Sequence, residues 1–249
     1  MKKLITVLLA LGLAAGGVNA AAQSRGNRSN PVLDAMIQAL GGPEFLDVKE
    51  IHTSGRFFSF SKGDLSGSNH YEDYIKMPDM ERTEFGTTNR NKEININRGT
   101  EGWTITGKKE PEPQPVKQTE EFVANFKTSF DYVIRYVLQS PQTTIQNLPG
   151  ELVDFKRADV VEIRDSMKNL IRFYVDRSTH LPIKMQVRRA NQTAVNEELY
   201  SNWHKFQGVM TPLLVSRLTN GVKTMEIHAE TAAYNPGLPD TLFAPPASK

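Results

Sequence analysis

Two periodicities divide this chain. Near its start, Val32, Leu33, Met36, Ile37 and Leu40 recur at helical spacing, with Asn30 placed to cap the helix, Pro31 at its first position and Gly41-Gly42 to stop it. Pro43 opens a second short helical turn through Leu46. From Ile51 onward the period becomes two. Ile94 and Ile96 alternate with polar neighbours, as do Trp103 and Ile105, Ile171, Phe173 and Val175, Ile183, Met185 and Val187, and Met225 and Ile227. Such runs predict antiparallel strands with one apolar and one wet face. Ten or eleven can be counted, joined by turns such as Asn97-Arg98-Gly99 and Thr219-Asn220-Gly221. No strand–helix alternation predicts a parallel sheet.

One interruption breaks the meander. Lys108–Val116 is charged and proline-rich, with Pro111, Pro113 and Pro115. After it, Phe122, Val123, Phe126, Phe130, Val133, Ile134, Val137 and Leu138 return to helical spacing. This predicts a helix over roughly 119–139, with a break at Thr128-Ser129. A long antiparallel sheet twists and curls, so its apolar face becomes concave, and this helix is the element available to cover it. The fold class is therefore mainly β with helices: a strongly curved antiparallel sheet, an incomplete barrel of about eleven strands, under a helical lid.

Composition adds the compartment. Lys2 and Lys3 precede the apolar run Leu4–Leu13, and Val18-Asn19-Ala20 carries small residues where a signal peptidase reads. The expected organisation is a signal peptide over 1–20, a polar and disordered segment over 21–29, and a single domain over 30–249. Removing the leader leaves 28 basic residues against 28 acidic ones; zero net charge offers no footprint for nucleic acid. The chain has no cysteine, which excludes disulfides, thiol chemistry and a lipid-anchored lipoprotein. No second apolar stretch reaches membrane-spanning length.

Catalytic chemistry is not legible. There is no Gly-x-Ser-x-Gly elbow, no HExxH and no glycine-rich phosphate loop. The five histidines, His52, His70, His180, His204 and His228, are scattered. His70 and Glu72 share a strand face while Asp73 points to the other, which reads as a solvated face rather than a metal site. The reading is a protein without catalytic residues, metal or cofactor. Trp103 and Trp203 suit either core packing or contact with an apolar ligand.

Several segments together resemble the LolA-like superfamily, periplasmic outer membrane lipoprotein-sorting proteins. They are Ala39-Leu40-Gly41-Gly42, Lys76-Met77-Pro78, Gly99-Thr100-Glu101-Gly102-Trp103, Val175 to Pro182, Gly208-Val209-Met210-Thr211-Pro212, and the tail from Pro239 to Pro246. The resemblance implies a soluble periplasmic carrier holding lipid or acylated protein in a hydrophobic cavity, with envelope membrane proteins as further partners. It also implies a cavity arginine, for which Arg56 is the candidate. On this reading Phe122, Phe126, Phe130, Ile134 and Val137 form the lid, and Ile96, Trp103, Phe173, Met185 and Ile227 wall the cavity. The competing reading is a non-enzymatic sensor or interaction module of the same fold with a filled core.

The leader gives a direct test. Intact-mass analysis of the exported protein should find a chain beginning at Ala21 or Gln23; a product that keeps Lys2–Leu13 and sediments with membranes would contradict the assignment.

Overall fold

The computed structural model describes residues 29–88 and 92–246; the expected leader and most of the polar segment after it lie outside the described residues. Asn30 caps α1 (Pro31–Leu40), its side-chain oxygen accepting from the backbone N–H groups of Val32 and Leu33 at 3.1 and 3.2 Å. Leu33, Met36 and Leu40 form the buried stripe. Gly41 ends the helix at a φ of +132°, and a side chain there would meet the Gly208 carbonyl oxygen at 2.7 Å, so the position requires glycine. A short α2 (Pro43–Leu46) follows and buries Phe45.

Among the described residues thirteen antiparallel strands then form one sheet. They are β1 (Glu50–Ser61), β2 (Asp64–Lys76), β3 (Met80–Phe85), β4 (Glu93–Arg98), β5 (Glu101–Thr106), β6 (Glu112–Pro113), β7 (Thr144–Val153), β8 (Lys156–Arg164), β9 (Leu170–Asp176), β10 (Pro182–Arg188), β11 (Asn196–Phe206), β12 (Val209–Thr219) and β13 (Val222–Tyr234). The spatial order runs from β6 down to β1, then β13 down to β7. Every neighbour is sequential except β1 against β13, which joins the N-terminal and C-terminal halves. The strand count exceeds the expected eleven. β6 is a two-residue pairing hidden in the proline-rich loop, with Pro113 opposite Trp103, and β7 lacks clean alternation because its register shifts between Leu148 and Glu151.

β6 and β7 are the two edges of the sheet, and they do not pair. The chain between them carries the insert: α3 (Val116–Lys127), then α4 (Phe130–Tyr132) running into a π-helical turn (Val133–Val137). The break falls at Thr128-Ser129, as the sequence indicates. Thr128 turns its hydroxyl back onto the Ala124 carbonyl at 2.9 Å, and Ser129 caps α4.

The two parts of the insert are held differently. Val133 and Ile134 are fully buried in the main core with Leu33, Met36, Leu40, Phe45, Ile163, Phe173 and Met185. Arg135 fixes this part further: it donates to the Phe45 carbonyl at 2.8 Å, lies over the Phe45 ring at 4.2 Å and pairs with Asp131. By contrast α3 starts at Pro115 without a side-chain cap and buries only Thr119 and Phe126. Its outer side is tethered by Arg189, which pairs with Glu121 and donates to Asn125 at 3.0 Å.

The concave face is thus filled on one side and open on the other. α1, α2 and the π-turn fill the half formed by β8–β10. The outer face of β3 and β4 is covered instead by the C-terminal 3-10 turn Asp240–Phe243, where Arg82 donates to the Leu242 carbonyl at 3.2 Å and Phe243 is fully buried. No helix among the described residues is long and apolar enough to cross a membrane.

The seam between halves depends on Gly55, where β1 bulges against β13. A Cβ at Gly55 would meet the His228 carbonyl oxygen at 2.1 Å. Gly55→Ala should therefore cost about 1–3 kcal/mol, read as a fall in Tm of about 2–4 °C per kcal/mol; an unchanged melt would show that the seam adjusts freely.

Candidate functional site

The open half of the concave face encloses a cavity of about 370 Å³. Its floor comes from one face of consecutive strands. Ile51 and Thr53 of β1, Tyr71, Asp73 and Ile75 of β2, Glu81 of β3, Glu198 and Tyr200 of β11, Val215 and Arg217 of β12, and Ile227 and Tyr234 of β13 all line it. Its roof is Phe122 and Phe126 of α3 with Phe130 of α4. The roof is an aromatic chain: Phe122 and Phe126 lie 5.4 Å apart, Phe126 meets Tyr132 edge-on at 6.1 Å, and Phe130 meets Phe173 edge-on at 5.9 Å. A second hollow, of about 510 Å³, lies between α3 and β4 and shares Phe122 and Asn125 with the first. α3 therefore separates the cavity from a wider opening.

The residues expected at the site divide by position. Phe122, Phe126, Phe130 and Ile227 come together around the cavity. Ile134, Val137, Phe173 and Met185 are buried beside it in the main core, beneath α1 and α2, and are not among its lining. Ile96 and Trp103 face the other way. They pair with each other, and Ile96 pairs with Arg82, which lies opposite Tyr74, whereas Glu81 and Asp73 occupy the alternate positions. Their face is the outer one that the C-terminal turn covers. Arg56 is exposed on the outside too, donating to Ser68 at 3.3 Å. The arginine that does line the cavity is Arg217. Trp203 packs against the core, 6.2 Å from Tyr200. His70 and Glu72 lie outside, where Glu72 also takes His52 at 2.6 Å.

Sequence reasoning therefore missed a charged cluster inside the cavity. Arg217 and Glu198 are cross-strand partners joined at 2.7 Å through Nε, and Tyr200 donates to the other Glu198 oxygen at 2.6 Å. Arg217 lines the cavity with 46 % of its side-chain surface accessible, and its Nη1 points to the Met225 sulfur at 3.8 Å. Asp73 accepts one hydrogen bond, from Thr83 at 2.9 Å. Glu81 lies diagonally from it on β3, since Asp73 opposes Thr83 and Ile75 opposes Glu81.

The electrostatics follow from enclosure. Burial pushes the Asp73 carboxyl up, only partly offset by the Thr83 hydroxyl and Arg217. Glu81 is pushed up further, by burial and then by the Asp73 carboxylate beside it. Glu198 holds the Arg217 guanidinium charged, and burial raises the Tyr200 hydroxyl well above its ordinary value. The signal for this cluster was present in the sequence as acids and an arginine on strand positions whose neighbours two residues away are apolar: Asp73 beside Ile75, and Arg217 beside Val215. Among the described residues no group of three or more histidines or acids is arranged to hold a metal ion.

No protein-family model and no curated protein matches the chain. Solved structures do. A DUF1329 family protein from Desulfovibrio piger superposes with a TM-score of 0.56 at 13 % identity, covering 86 % of this chain and 95 % of its own. A candidate outer membrane lipoprotein-sorting protein domain from Vibrio parahaemolyticus gives 0.55 at 10 % identity, covering 85 % and 95 %. A LolA superfamily protein from Nitrosomonas europaea gives 0.54 at 13 % identity, covering 86 % and 96 %. The fold is thus shared over nearly the whole length of these proteins, and the chain has the LolA-like fold.

Proposed function

We propose that this protein is an exported, soluble periplasmic carrier that binds lipid or lipid-modified protein in its cavity, serving outer-membrane lipoprotein sorting or lipid transport without catalysing a reaction. The observation that carries this reading is the hollow of about 370 Å³ under an aromatic roof. A sensor or interaction module needs the same sheet but no void, and close packing would then fill the concave face throughout. The hollow is within the size range of small-molecule pockets. It lodges one slender group as it stands, so larger acyl cargo requires α3 to move.

The insert is built for that. Its second part is locked into the core through Val133, Ile134 and Arg135, whereas α3 rests on Phe122, Phe126 and a surface tether to Arg189. The moving lid on this reading is α3, with Thr128-Ser129 as hinge, and Ile134 and Val137 belong to its fixed base. Each acyl methylene transferred into the cavity stabilises the complex by about 0.8 kcal/mol. Two phenylalanines that occupy the same space when the cargo leaves offset part of that gain, which keeps release possible.

Purification of the protein from its native envelope, followed by lipid mass spectrometry, tests the carrier reading directly: a stoichiometric acylated species is expected, and a ligand-free preparation that also fails to take up fatty acids in vitro would remove it. Phe126→Ala addresses the lid. A core phenylalanine lost this way costs about 3–5 kcal/mol. The lid reading instead expects a smaller loss in the thermal melt together with tighter binding of a fluorescent fatty acid, because less roof competes for the space; a full core penalty with unchanged or weaker probe binding would mean that Phe126 is ordinary packing.

A further inference from the structure

The cavity is not uniformly apolar, and its polar groups are unequally satisfied. Among the described residues four carboxyl groups, those of Asp73, Glu81, Asp131 and Glu198, line it with one guanidinium; Asp131 is paired with Arg135 from outside the lining, and the guanidinium is paired with Glu198. Among the described residues Asp73 has a single hydrogen-bond donor, Thr83. Glu81 has no hydrogen bond or ion pair among the described residues, although protein surrounds it. Leaving a carboxyl group in such a place is costly, and a carrier of plain hydrocarbon has no use for it.

A second, independent feature lies next to Glu81 on the same face. Asn97 is its cross-strand partner, is only 8 % exposed, and leaves its Oδ1 without a partner. Gln114 adds another: its Nε2 donates to the Trp103 carbonyl at 3.2 Å, which directs an unpartnered Oε1 to the same spot beside Gly102. Both side chains line the hollow under α3 that meets the main cavity at Phe122. What Glu81 lacks is a donor; the Asn97 and Gln114 oxygens lack one too, but they have almost no accessible surface and lie beside Gly102, outside the lining of the main cavity. An ammonium supplies up to three N–H donors, a positive charge and no acceptor.

We propose that the cavity takes an amphiphile whose polar end is a cationic amine, seated against Glu81 and Asp73 with its chain under Phe122 and Phe126. The inference rests on the carrier reading and specifies its ligand. An anionic head would meet the carboxyl groups of Glu81 and Asp73, and the neighbouring Arg217 charge that could attract it is engaged by Glu198. A cationic head gains a charge-assisted contact with Glu81.

The test compares ligands of one chain length by calorimetry on the mature protein: dodecylamine, dodecanoate and dodecanol, with ethanolamine as the amine without a chain. Dodecylamine should bind about tenfold or more tightly than dodecanoate, the factor that one charged contact gives, and ethanolamine should bind far more weakly. Glu81→Gln and Asp73→Asn should each weaken dodecylamine by about tenfold while leaving dodecanol unchanged; both changes keep the side-chain shape, and an unchanged thermal melt and retained dodecanol binding show that each variant is folded. Equal or tighter binding of dodecanoate, or a preference that survives both substitutions, overturns the amine assignment and leaves the carrier reading standing. Ethanolamine binding as tightly as dodecylamine also overturns it, in favour of a site for small amines. Binding of none of the four defeats the carrier reading itself.

Discussion

The structure depends on one unmet pairing. A sheet of thirteen antiparallel strands ends at β6 on one side and β7 on the other, and these edges do not hydrogen-bond to each other. Open edges expose unpaired backbone groups and an apolar concave face, both liabilities in water. The chain answers with a single segment, because the residues between Pro113 and Thr144 are the ones that run from one edge to the other. What closes the shell is thus a covalent bridge packed by side chains, not a ladder of backbone bonds. A closed barrel would have had a rigid interior. This one has a roof that can be weak in one place.

That place is set by the distribution of apolar residues along the bridge. The π-helical turn, with Leu138 N–H reaching back to the Val133 carbonyl at 3.0 Å, turns Val133, Ile134 and Val137 into the core and sets Arg135 beneath Phe45. α3 has no such anchor. Its apolar face is two phenylalanines over a void, and its polar face is held by a pair that water and salt can reach. Local opening should therefore begin at α3, since elements with few buried contacts open at the least cost.

The asymmetry of the concave face has a matching asymmetry of polarity. Under α1 and α2 the sheet presents Val161, Ile163, Ile171, Phe173 and Met185, all packed. Under α3 it presents Asp73, Glu81, Asn97 and Arg217 alongside Tyr71 and Ile75. Such groups do not stabilise an empty shell, because enclosure disfavours the charged carboxylates and no hydrogen bond among the described residues compensates Glu81. They impose a chemical requirement on whatever fills the space, which hydrocarbon alone does not meet.

The sequence by itself determined the element types. Alternation at Phe173, Met185 and Ile227, the capped stripe of α1 and the helical spacing after the proline-rich loop are local signals, carried by residues two to four apart, and the break at Thr128-Ser129 was equally local. Which face of each strand turned inward was decided only by the tertiary structure. Ile96 and Trp103 alternate as cleanly as Phe173 and Met185, yet they face outward, under the C-terminal turn that carries Phe243. A shift of one residue in pairing sends a whole strand face to the other side, and that register passes from strand to strand through β1–β13, a contact between residues about 180 apart in the chain. The cavity arginine was hidden for the same reason: Arg56 and Arg217 are both polar residues on strands, and only the direction in which the assembled sheet curls places one in solvent and the other against Glu198.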